Sequence, residues 1–355
     1  MKLVTFEIAT PLGPQRRLGA LIDGDQDGRI ADLTLAYRTY LERETDEPTP
    51  EGLAQLRTPP DMIGWLRGGH KSRDAAEAAV AHVRTQLAKS NEALGGRGER
   101  LAFARSEVRL LSPLPRPNTF RDFSIFEEHG SLRDGFDPAV RRRKPPKWYR
   151  WPPYYKASPE SILGPEDPIP YPYYTQKLDL EPEIGIVVGR EGRNLTFEQA
   201  REAIAGYTIV IDCSDRGAGQ RDTLGPAKSK DFATMVGPCL VTAEEIDEAN
   251  LRVRVIVDGE VWFDGNTSAP RSFLAHHLVA YASDNETLRP GDLLGTGTVG
   301  TGCSLDLHKW VQTGQTVTIE VEGIGRMQHK IVPGEHEVDY VGSGMDGLLG
   351  PPKAE

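Results

Sequence analysis

The sequence predicts a β-rich α/β protein with a small α+β domain at its N-terminus. From Leu178 onward, runs of β-branched residues alternate with short helical segments, and residues 1–110 mix strand and helix patterns. The composition changes after Pro117, following the run Ser112-Pro-Leu-Pro-Arg-Pro117. We therefore expect a small domain over residues 1–110, a larger domain over 111–340 and a flexible tail over 341–355.

Composition limits the classes of function. The chain has 355 residues, of which 38% are hydrophobic, and its net charge of −10 disfavours a nucleic-acid partner. Its three cysteines show no CxxC spacing, which argues against a disulfide scaffold or a zinc site and fits a reducing compartment. The N-terminus lacks an apolar leader, and no apolar run reaches the length of a membrane span. These features predict a cytoplasmic protein that does not act at a membrane.

The N-terminal elements follow from periodicity. Residues 2–8 and 18–33 alternate apolar and polar side chains, which predicts strands. Residues 34–43 and 72–89 have helical spacing. Residues 103–111 are compatible with a returning strand.

The larger domain begins a second series of elements. A helix is predicted over residues 196–205, before a buried strand over 207–212. A second helix is predicted over residues 270–282. Further strands are predicted over residues 252–257, 261–263, 292–295 and 316–321.

The stretch Lys177-Leu-Asp-Leu-Glu-Pro-Glu-Ile-Gly-Ile-Val-Val-Gly189 is the most informative in the chain. Its β-branched residues predict a strand, in which Glu181 and Glu183 point to the same face. Two like charges at that spacing repel unless a cation lies between them, and Mg²⁺ or Ca²⁺ binds oxygen ligands. The alternative is a solvated acidic pair on an edge strand.

Two further acids accompany this pair. Asp212 follows Thr-Ile-Val-Ile at the end of a predicted buried strand, and Asp122 lies in a loop. A buried carboxylate must be paired, hydrogen-bonded or bound to a metal. The set Asp122, Glu181, Glu183 and Asp212 therefore indicates a Mg²⁺ site, with Ca²⁺ or Mn²⁺ as alternatives.

His129 is the candidate general base. It lies seven residues after Asp122 on the same predicted loop, and histidine titrates near neutral pH. His308, two residues after Asp306, is an alternative base, and a purely structural role for either histidine stays open. The chain has no GxSxG elbow and no P-loop, so the common serine-hydrolase and P-loop nucleotide-binding motifs are absent.

Basic and aromatic residues are interleaved over residues 138–156. The segment fits a mobile lid over an anionic substrate, although an RNA-binding or partner-docking surface and a solvated loop are alternatives. Two basic residues flank the predicted metal ligands in sequence: Arg216 and a lysine, which is either Lys228 or Lys230. Their positive charges could bind an oxyanion or a carboxylate.

Several motifs together resemble the fumarylacetoacetate hydrolase superfamily over roughly residues 112–333. The motifs are Asp122-Phe-Ser-Ile-Phe-Glu-Glu-His129, Lys177-Leu-Asp-Leu-Glu-Pro-Glu183, Gly206-Tyr-Thr-Ile-Val-Ile-Asp-Cys-Ser214, Lys230-Asp-Phe-Ala-Thr234, Gly295-Thr-Gly-Thr-Val-Gly300, Cys303-Ser-Leu-Asp-Leu307 and Val321-Glu-Gly-Ile-Gly325. Each motif is weak alone, and their shared order is specific. The resemblance implies a mixed β-sandwich roll and a homodimer formed through the C-terminal domain.

The resemblance also implies residue roles. The ligands of Mg²⁺, Ca²⁺ or Mn²⁺ would be the four acids named above, with His129 activating water and Asp306 orienting His129. Lys230 and Arg216 would hold substrate or a developing oxyanion. Tyr155, or its neighbour Tyr154, and Thr298 would contact substrate.

Three positions depart from the family pattern. The family has Ser-Ala-Arg-Asp-x-Gln after the aspartate, whereas Gly217 replaces the acid here and Gly219-Gln220 shifts the glutamine by one place. Asp306 is one methylene shorter than the usual glutamate. These differences bear on the identity of the substrate.

The implied activity is metal-dependent hydrolysis of a C–C bond in a β-diketo acid or acylpyruvate-like acid. The leaving carbanion would be an enolate held by the metal, in aromatic or sugar catabolism. Relatives use the same site for other reactions, so the resemblance also implies a second possibility. The enzyme would then be a 2-keto acid hydratase or dehydratase acting on a 2-keto-3-deoxy sugar acid, an isomerase or an oxaloacetate decarboxylase.

Overall fold

The computed structural model describes residues 1–24, 28–130, 144–217, 222 and 225–335. Three predicted features lie wholly or partly outside these residues: residues 138–143 of the lid, the Gly219-Gln220 pair and the tail over 341–355. Within the described residues the chain forms seventeen strands and eight α-helices. The prediction of a β-rich α/β protein is confirmed.

The strands form two sheets. Along the chain they are β1 Lys2–Ile8, β2 Gln15–Leu21, β3 Ile30–Asp32, β4 Ala102–Phe103, β5 Arg109–Leu111, β6 Phe120–Phe123, β7 Tyr154–Ala157, β8 Ile162–Leu163, β9 Ile169–Tyr171, β10 Leu178–Val188, β11 Ile204–Asp215, β12 Thr234–Thr242, β13 Arg252–Val257, β14 Glu260–Asn266, β15 Leu293–Gly295, β16 Thr316–Val321 and β17 Gly325–Pro333. The larger sheet has the order β4-β3-β2-β1-β12-β11-β10-β15-β6-β7, with β5 on β1 and β8 on β12. The smaller sheet has the order β14-β13-β16-β17-β9.

The helices are fewer than the strands. They are α1 Leu33–Glu44, α2 Pro50–Arg57, α3 Met62–Arg67, α4 Gly69–Leu87, α5 Pro146–Arg150, α6 Phe197–Glu202, α7 Ala275–Ser283 and α8 Ser304–Leu307. Asp32 caps α1 by accepting a hydrogen bond from the backbone N–H of Leu35, as expected for aspartate at a helix N-terminus. None of the helices in the described residues is long and apolar enough to cross a membrane.

Alternate residues of the central strands pack into two separate cores. Ile184 and Ile186 of β10 join a core that includes residues of the smaller sheet, whereas Val187 joins one that includes residues of α1 and α4. Since successive side chains of a strand point to opposite faces, Glu181 and Glu183 continue the face of Val187. The acids therefore lie on one face of a buried strand, as the sequence predicts.

The N-terminal strands belong to the larger sheet. Strand β1 pairs with β12 in antiparallel register, with Leu3 opposite Leu240. The predicted division at residue 110 remains a prediction, and it falls within β5, which pairs with β1 in this sheet. The strand expected over residues 103–111 is two short strands, β4 and β5, separated by a 3₁₀ turn over Arg105–Glu107.

The helix predicted over residues 270–282 begins late, at Ala275. The backbone before it is engaged by another segment, because Arg271 forms a β-bridge with Phe126 and the Glu127 N–H donates to the Pro270 carbonyl. A backbone that bridges to a neighbouring segment cannot also form helical hydrogen bonds. The expected start at Pro270 was therefore wrong by five residues.

Candidate active site

Three buried carboxylates meet where neighbouring strands of the larger sheet run side by side. Asp122 of β6, Glu183 of β10 and Asp212 of β11 each place an oxygen within 4.8 Å of the others. Asp122 lies opposite Gly295 of β15 in the parallel register of β6 and β15. The three acids are separated by at least 29 positions in sequence, and the sheet order brings them together.

Burial and mutual repulsion dominate the electrostatics of this trio. Burial raises the pKa of Asp122 well above its usual range, and the charge of Asp212 raises it further. Burial likewise raises the pKa of Glu183, with Asp122 adding to the effect. Oδ1 of Asp122 and Oδ1 of Asp212 have no hydrogen-bond partner among the described residues. Buried, unpartnered and mutually repelling carboxylate oxygens are a donor set that a hard divalent cation would satisfy.

Gly295 provides the space between two of these carboxylates. A Cβ at this position would lie 2.7 Å from Oδ1 of Asp122 and closer still to Oε2 of Glu183. Any larger residue would therefore displace the oxygens that could hold a metal. Glu183 Oε2 is also positioned by the backbone N–H of Gly297, which donates to it at 2.9 Å.

Glu181, the fourth predicted ligand, is held by cations. Arg216 donates to its Oε1 at 2.5 Å, and Lys230 and Ser214 both donate to its Oε2. Although burial alone would raise the pKa of Glu181, the charges of Arg216 and Lys230 hold it well below its usual range. Glu181 is therefore ionised and lies beside the trio, and its role as a ligand remains a prediction.

Lys230 links Glu181 to the trio. Its Nζ contacts Glu181 and also Oδ2 of Asp212, and its side chain is buried. Burial would lower the pKa of Lys230, but the charges of Asp212 and Glu181 raise it above its ordinary value. Lys228, the alternative register, pairs instead with the surface residue Asp231. The structure thus brings Lys230, and not Lys228, to the predicted site.

Tyr155 reaches the same carboxylate from β7. Its hydroxyl donates to Oδ2 of Asp212 at 2.8 Å, and the Lys230 ammonium lies 5.3 Å from the centroid of its ring. Tyr154, the alternative, packs its ring against Phe123 with a centroid separation of 4.8 Å. Although these residues were predicted to belong to a lid, both lie in a strand that pairs with β6.

His129 and Asp306 form a hydrogen-bonded pair. Nδ1 of His129 lies 3.1 Å from Oδ2 of Asp306, and Nε2 lies 3.3 Å from Oε1 of Glu181. Burial would raise the pKa of Asp306, but its hydrogen bond to His129 brings the value below the usual range. The carboxylate is therefore the acceptor and Nδ1–H the donor, which leaves Nε2 facing the site.

Asp306 is itself positioned by backbone and thiol groups. The Gly130 N–H donates to both of its oxygens, at 2.9 and 3.0 Å. The Cys303 thiol donates to Oδ2 at 3.3 Å, because burial raises the pKa of this thiol well above its ordinary value. Cys303 also caps α8 by accepting a hydrogen bond from the Asp306 N–H. His308, the alternative base, ends α8 with an exposed side chain.

The sequence reasoning missed Asp179, Ser214 and Cys303. Asp179 is fully buried and accepts hydrogen bonds from Nε of Arg216 at 3.0 Å and from the Leu305 N–H at 3.2 Å. The strand alternation that places Glu181 and Glu183 on one face also places Asp179 there, so this signal was available. Nothing in the local sequence indicates that Cys303 would meet His129, which lies 174 positions away.

A cavity of about 290 Å³ opens onto these groups. Its lining includes Asp122, His129, Tyr155, Glu181, Glu183, Arg216, Lys230 and Thr298. Thr298 is buried, and its hydroxyl has no hydrogen-bond partner among the described residues. A larger cavity of about 810 Å³ lies between α3 and the segment after β10 and contains none of these groups. The chemistry is therefore concentrated in the smaller cavity.

Comparisons with known proteins identify the family of the chain. Residues 126–332 match the family described as fumarylacetoacetate (FAA) hydrolase C-terminal. The chain is 30% identical to oxaloacetate tautomerase YisK of Bacillus subtilis over 331 residues, which cover 88% of this chain and 95% of that protein. It is 35% identical to the mitochondrial oxaloacetate tautomerase fahd2 of Xenopus laevis over 179 residues, which span 55% of that protein's length.

Solved structures share the fold. A maleylpyruvate hydrolase from Sphingobium sp. SYK-6, in complex with manganese(II) and pyruvate, aligns with a TM-score of 0.64 at 23% identity, over 94% of this chain and 100% of that one. The fumarylacetoacetate hydrolase of Exiguobacterium antarcticum aligns with a TM-score of 0.62, also at 23% identity, over 93% and 99% of the two chains. With the family match over more than half of its length, the chain belongs to the fumarylacetoacetate hydrolase family, as its motifs indicated.

Proposed function

We propose that this protein is a divalent-metal-dependent enzyme that hydrolyses a C–C bond in a small β-diketo acid or acylpyruvate-like acid. The observation that carries the proposal is the His129–Asp306 pair. Its Nε2 faces the cavity that also contains the carboxylate trio, 3.3 Å from Oε1 of Glu181. A base held in one tautomer beside a cation site is the arrangement required to activate water next to a polarised carbonyl.

The charge balance supports a cation at the trio. Six buried acids lie together here: Asp122, Asp179, Glu181, Glu183, Asp212 and Asp306. Among the described residues, the arginine and lysine side chains that pair with this group are Arg216, which contacts Asp179 and Glu181, and Lys230, which contacts Glu181 and Asp212. Fully ionised, this group carries a formal excess of four negative charges, which a divalent ion would reduce. We propose Asp122, Glu183 and Asp212 as ligands, with Glu181 as the fourth, and Mg²⁺, Mn²⁺ or Ca²⁺ as the ion. When bound, the ion would act as a Lewis acid on the keto-acid oxygens.

His129 supplies the proton transfer in this proposal. Its Nδ1–H donates to ionised Asp306, so Nε2 carries the lone pair and accepts a proton from water. Asp306 then stabilises the imidazolium. The water attacks the carbonyl distal to the carboxylate, and the proton held at Nε2 is available for the departing carbon.

The polar groups around the cavity orient the substrate. Arg216 and Lys230 would hold a carboxylate or the developing oxyanion, although both also neutralise Glu181. The Thr298 hydroxyl is a buried donor that a substrate oxygen would satisfy. The cavity of about 290 Å³ lies at the lower end of the range of about 300–1,000 Å³ for ligand pockets and therefore suits a small acid.

The second candidate is keto–enol tautomerisation of oxaloacetate. It is favoured by the Bacillus subtilis oxaloacetate tautomerase, which matches 88% of this chain. In this reaction His129 would move a proton between carbon and oxygen, and no water would add. The family membership supports both candidates, and the difference lies in whether a C–C bond breaks. A cytoplasmic homodimer is proposed for either one.

The discriminating experiment measures both reactions in the same preparation. Acylpyruvates are incubated with the protein and Mg²⁺ or Mn²⁺, and pyruvate release is followed with lactate dehydrogenase. Enol-oxaloacetate is incubated in parallel, and its conversion is followed by ultraviolet absorbance. Pyruvate release that requires the metal and His129 supports hydrolysis. Metal-dependent tautomerisation without release of pyruvate rejects the first candidate in favour of the second, and inactivity in both assays rejects both.

A further inference from the structure

Cys303 lies against the catalytic pair but has no part in either proposed reaction. Its Sγ is 3.3 Å from Oδ2 of Asp306 and 3.7 Å from Nδ1 of His129, and these two atoms are 3.1 Å apart. Thiol, imidazole and carboxylate thus form a triangle of three potential metal ligands.

The triangle has the dimensions of a tetrahedral zinc site. Bond lengths of about 2.3 Å to sulfur, 2.05 Å to nitrogen and 2.0 Å to oxygen imply ligand separations of about 3.6 Å for S–N, 3.5 Å for S–O and 3.3 Å for N–O. The observed separations of 3.7, 3.3 and 3.1 Å each agree to within about 0.2 Å. A cation therefore fits with little movement of the three side chains.

The donor set differs in kind from the carboxylate trio. Asp122, Glu183 and Asp212 offer only oxygen, which suits Mg²⁺, Mn²⁺ or Ca²⁺. A sulfur and a nitrogen donor beside one oxygen favour Zn²⁺ or the softer Cd²⁺. The absence of CxxC spacing argued against a zinc site, but spacing between cysteines does not detect a histidine and an aspartate brought in by the fold.

A second grouping, Asp179, Glu181 and Cys303, shares the same thiol. Its two carboxylates are already neutralised, because Arg216 contacts both of them and Lys230 contacts Glu181. A cation there would lie next to two positive charges. The triangle of His129, Cys303 and Asp306 is the better site.

We propose that His129, Cys303 and Asp306 form a second metal site, selective for Zn²⁺ and Cd²⁺, whose occupation inhibits the enzyme. The thiol releases its proton to solvent, and water completes the coordination. The metal takes the lone pair of Nδ1, so the imidazole proton resides on Nε2. An Nε2–H group cannot accept a proton from water or substrate. The inhibition rests on the proposed role of His129, whereas the binding does not.

Binding is tested without reference to activity. The full-length protein is saturated with Mg²⁺, titrated with Cd²⁺ and followed by the ultraviolet absorption of the cadmium–thiolate bond. We expect this absorption in wild type and in Cys239→Ala, since the thiol of Cys239 is buried against the Ile324 carbonyl and belongs to no such grouping among the described residues. It should disappear in Cys303→Ser, where the hydroxyl preserves the cap on α8. Unchanged absorption in Cys303→Ser, or none in wild type, overturns the site.

His129→Gln provides a second test of the same site, and it applies even if Cys303→Ser does not fold. We expect the Cd²⁺ affinity to fall by more than about tenfold, since even partners outside the first coordination shell contribute ~10–100-fold. An unchanged affinity would remove His129 from the site. Inhibition is then measured as the Zn²⁺ concentration that halves the activity of the Mg²⁺-loaded enzyme, within each variant separately. A value at least tenfold higher in Cys303→Ser supports inhibition through this site, and an equal value rejects it.

The two proposals fail in distinguishable ways. If the protein turns over none of the tested acids, the cadmium absorption still reports whether the site exists. If the absorption appears but Zn²⁺ does not inhibit an active enzyme, the site stands and the inhibitory role is overturned.

Discussion

Nδ1 of His129 and Oδ2 of Asp306 lie 3.1 Å apart although the two residues are 177 positions apart in the chain. The carboxylate also accepts hydrogen bonds from the Gly130 N–H and the Cys303 thiol, so its position does not depend on the imidazole alone. This contact decides which ring nitrogen faces the cavity. It is the structural basis of the first two predictions.

Replacing Asp306 with asparagine should lower kcat by about 10²–10⁴-fold, because an amide neither fixes the Nδ1–H tautomer nor stabilises imidazolium. The affinity for Mg²⁺ should stay within about twofold, since Asp306 lies outside the carboxylate trio. Kinetics with saturating Mg²⁺ and calorimetry of metal binding measure the two effects. Asp306→Glu is the matched control, because it keeps the charge and should retain more activity than Asp306→Asn. Equal activities in the two variants would contradict the assigned role.

His129→Ala should lower kcat by about 10²–10⁴-fold in whichever reaction the enzyme catalyses. The matched control is His70→Ala, since His70 is an exposed residue of α4 and is not among the residues that line the cavity of the carboxylate trio. Steady-state rates on the active substrate give the comparison. A kcat for His129→Ala within threefold of that of His70→Ala would show that another group moves the proton.

Metal affinity should rise with pH. The pKa values of Asp122 and Glu183 are raised by burial and by neighbouring carboxylates, so these groups retain protons at pH values where ordinary carboxyls are ionised. A cation must displace those protons, and its binding is therefore weaker at lower pH. Calorimetry in two buffers of different ionisation enthalpy measures the protons released. Glu183→Gln should release fewer protons than wild type, and no release from wild type would contradict the raised pKa values.

Gly295→Ala should weaken metal binding by at least about tenfold, because the new methyl group would occupy the space next to Glu183 Oε2 and Asp122 Oδ1. The fold itself should tolerate the methyl group better than the metal site does, since only two side-chain ends must move. Gly52→Ala is the control, as a Cβ at this exposed helical position meets nothing within 4 Å. Isothermal titration with Mn²⁺ compares the affinities of the two variants. Equal affinities would show that Gly295 does not provide the space for the metal-binding oxygens.

Lys230→Met should lower the free energy of unfolding by about 3–5 kcal/mol, because it leaves Glu181 and Asp212 buried without their shared cation. Lys228→Met removes only an exposed pair with Asp231 and should change stability by about 0.5 kcal/mol or less. Denaturant unfolding of both variants measures the difference. A loss below 1 kcal/mol for Lys230→Met would mean that the acids are neutralised in another way.

Much of the site was predictable because strand alternation and motif order are local properties. The β-branched run after Glu183 predicts β10 and places Glu181 and Glu183 on one face, and the structure agrees. The start of α7 was not predictable locally, because its cause is a β-bridge from Arg271 to the distant Phe126. The same holds for Cys303, whose neighbours are determined by where α8 lies.

The sequence alone determined the β-rich α/β class, the family and the set of candidate residues, since these depend on periodicity and on the order of short motifs. Only the tertiary structure decided which of those residues lie together in the carboxylate trio, which pair with cations and which form the His129–Asp306 pair. Glu181 was expected with the metal ligands, and the fold surrounds it with Arg216, Lys230 and His129. The physical reason is that pairing of distant strands sets distances of a few ångströms, and charge, pKa and coordination all depend on distances of that size.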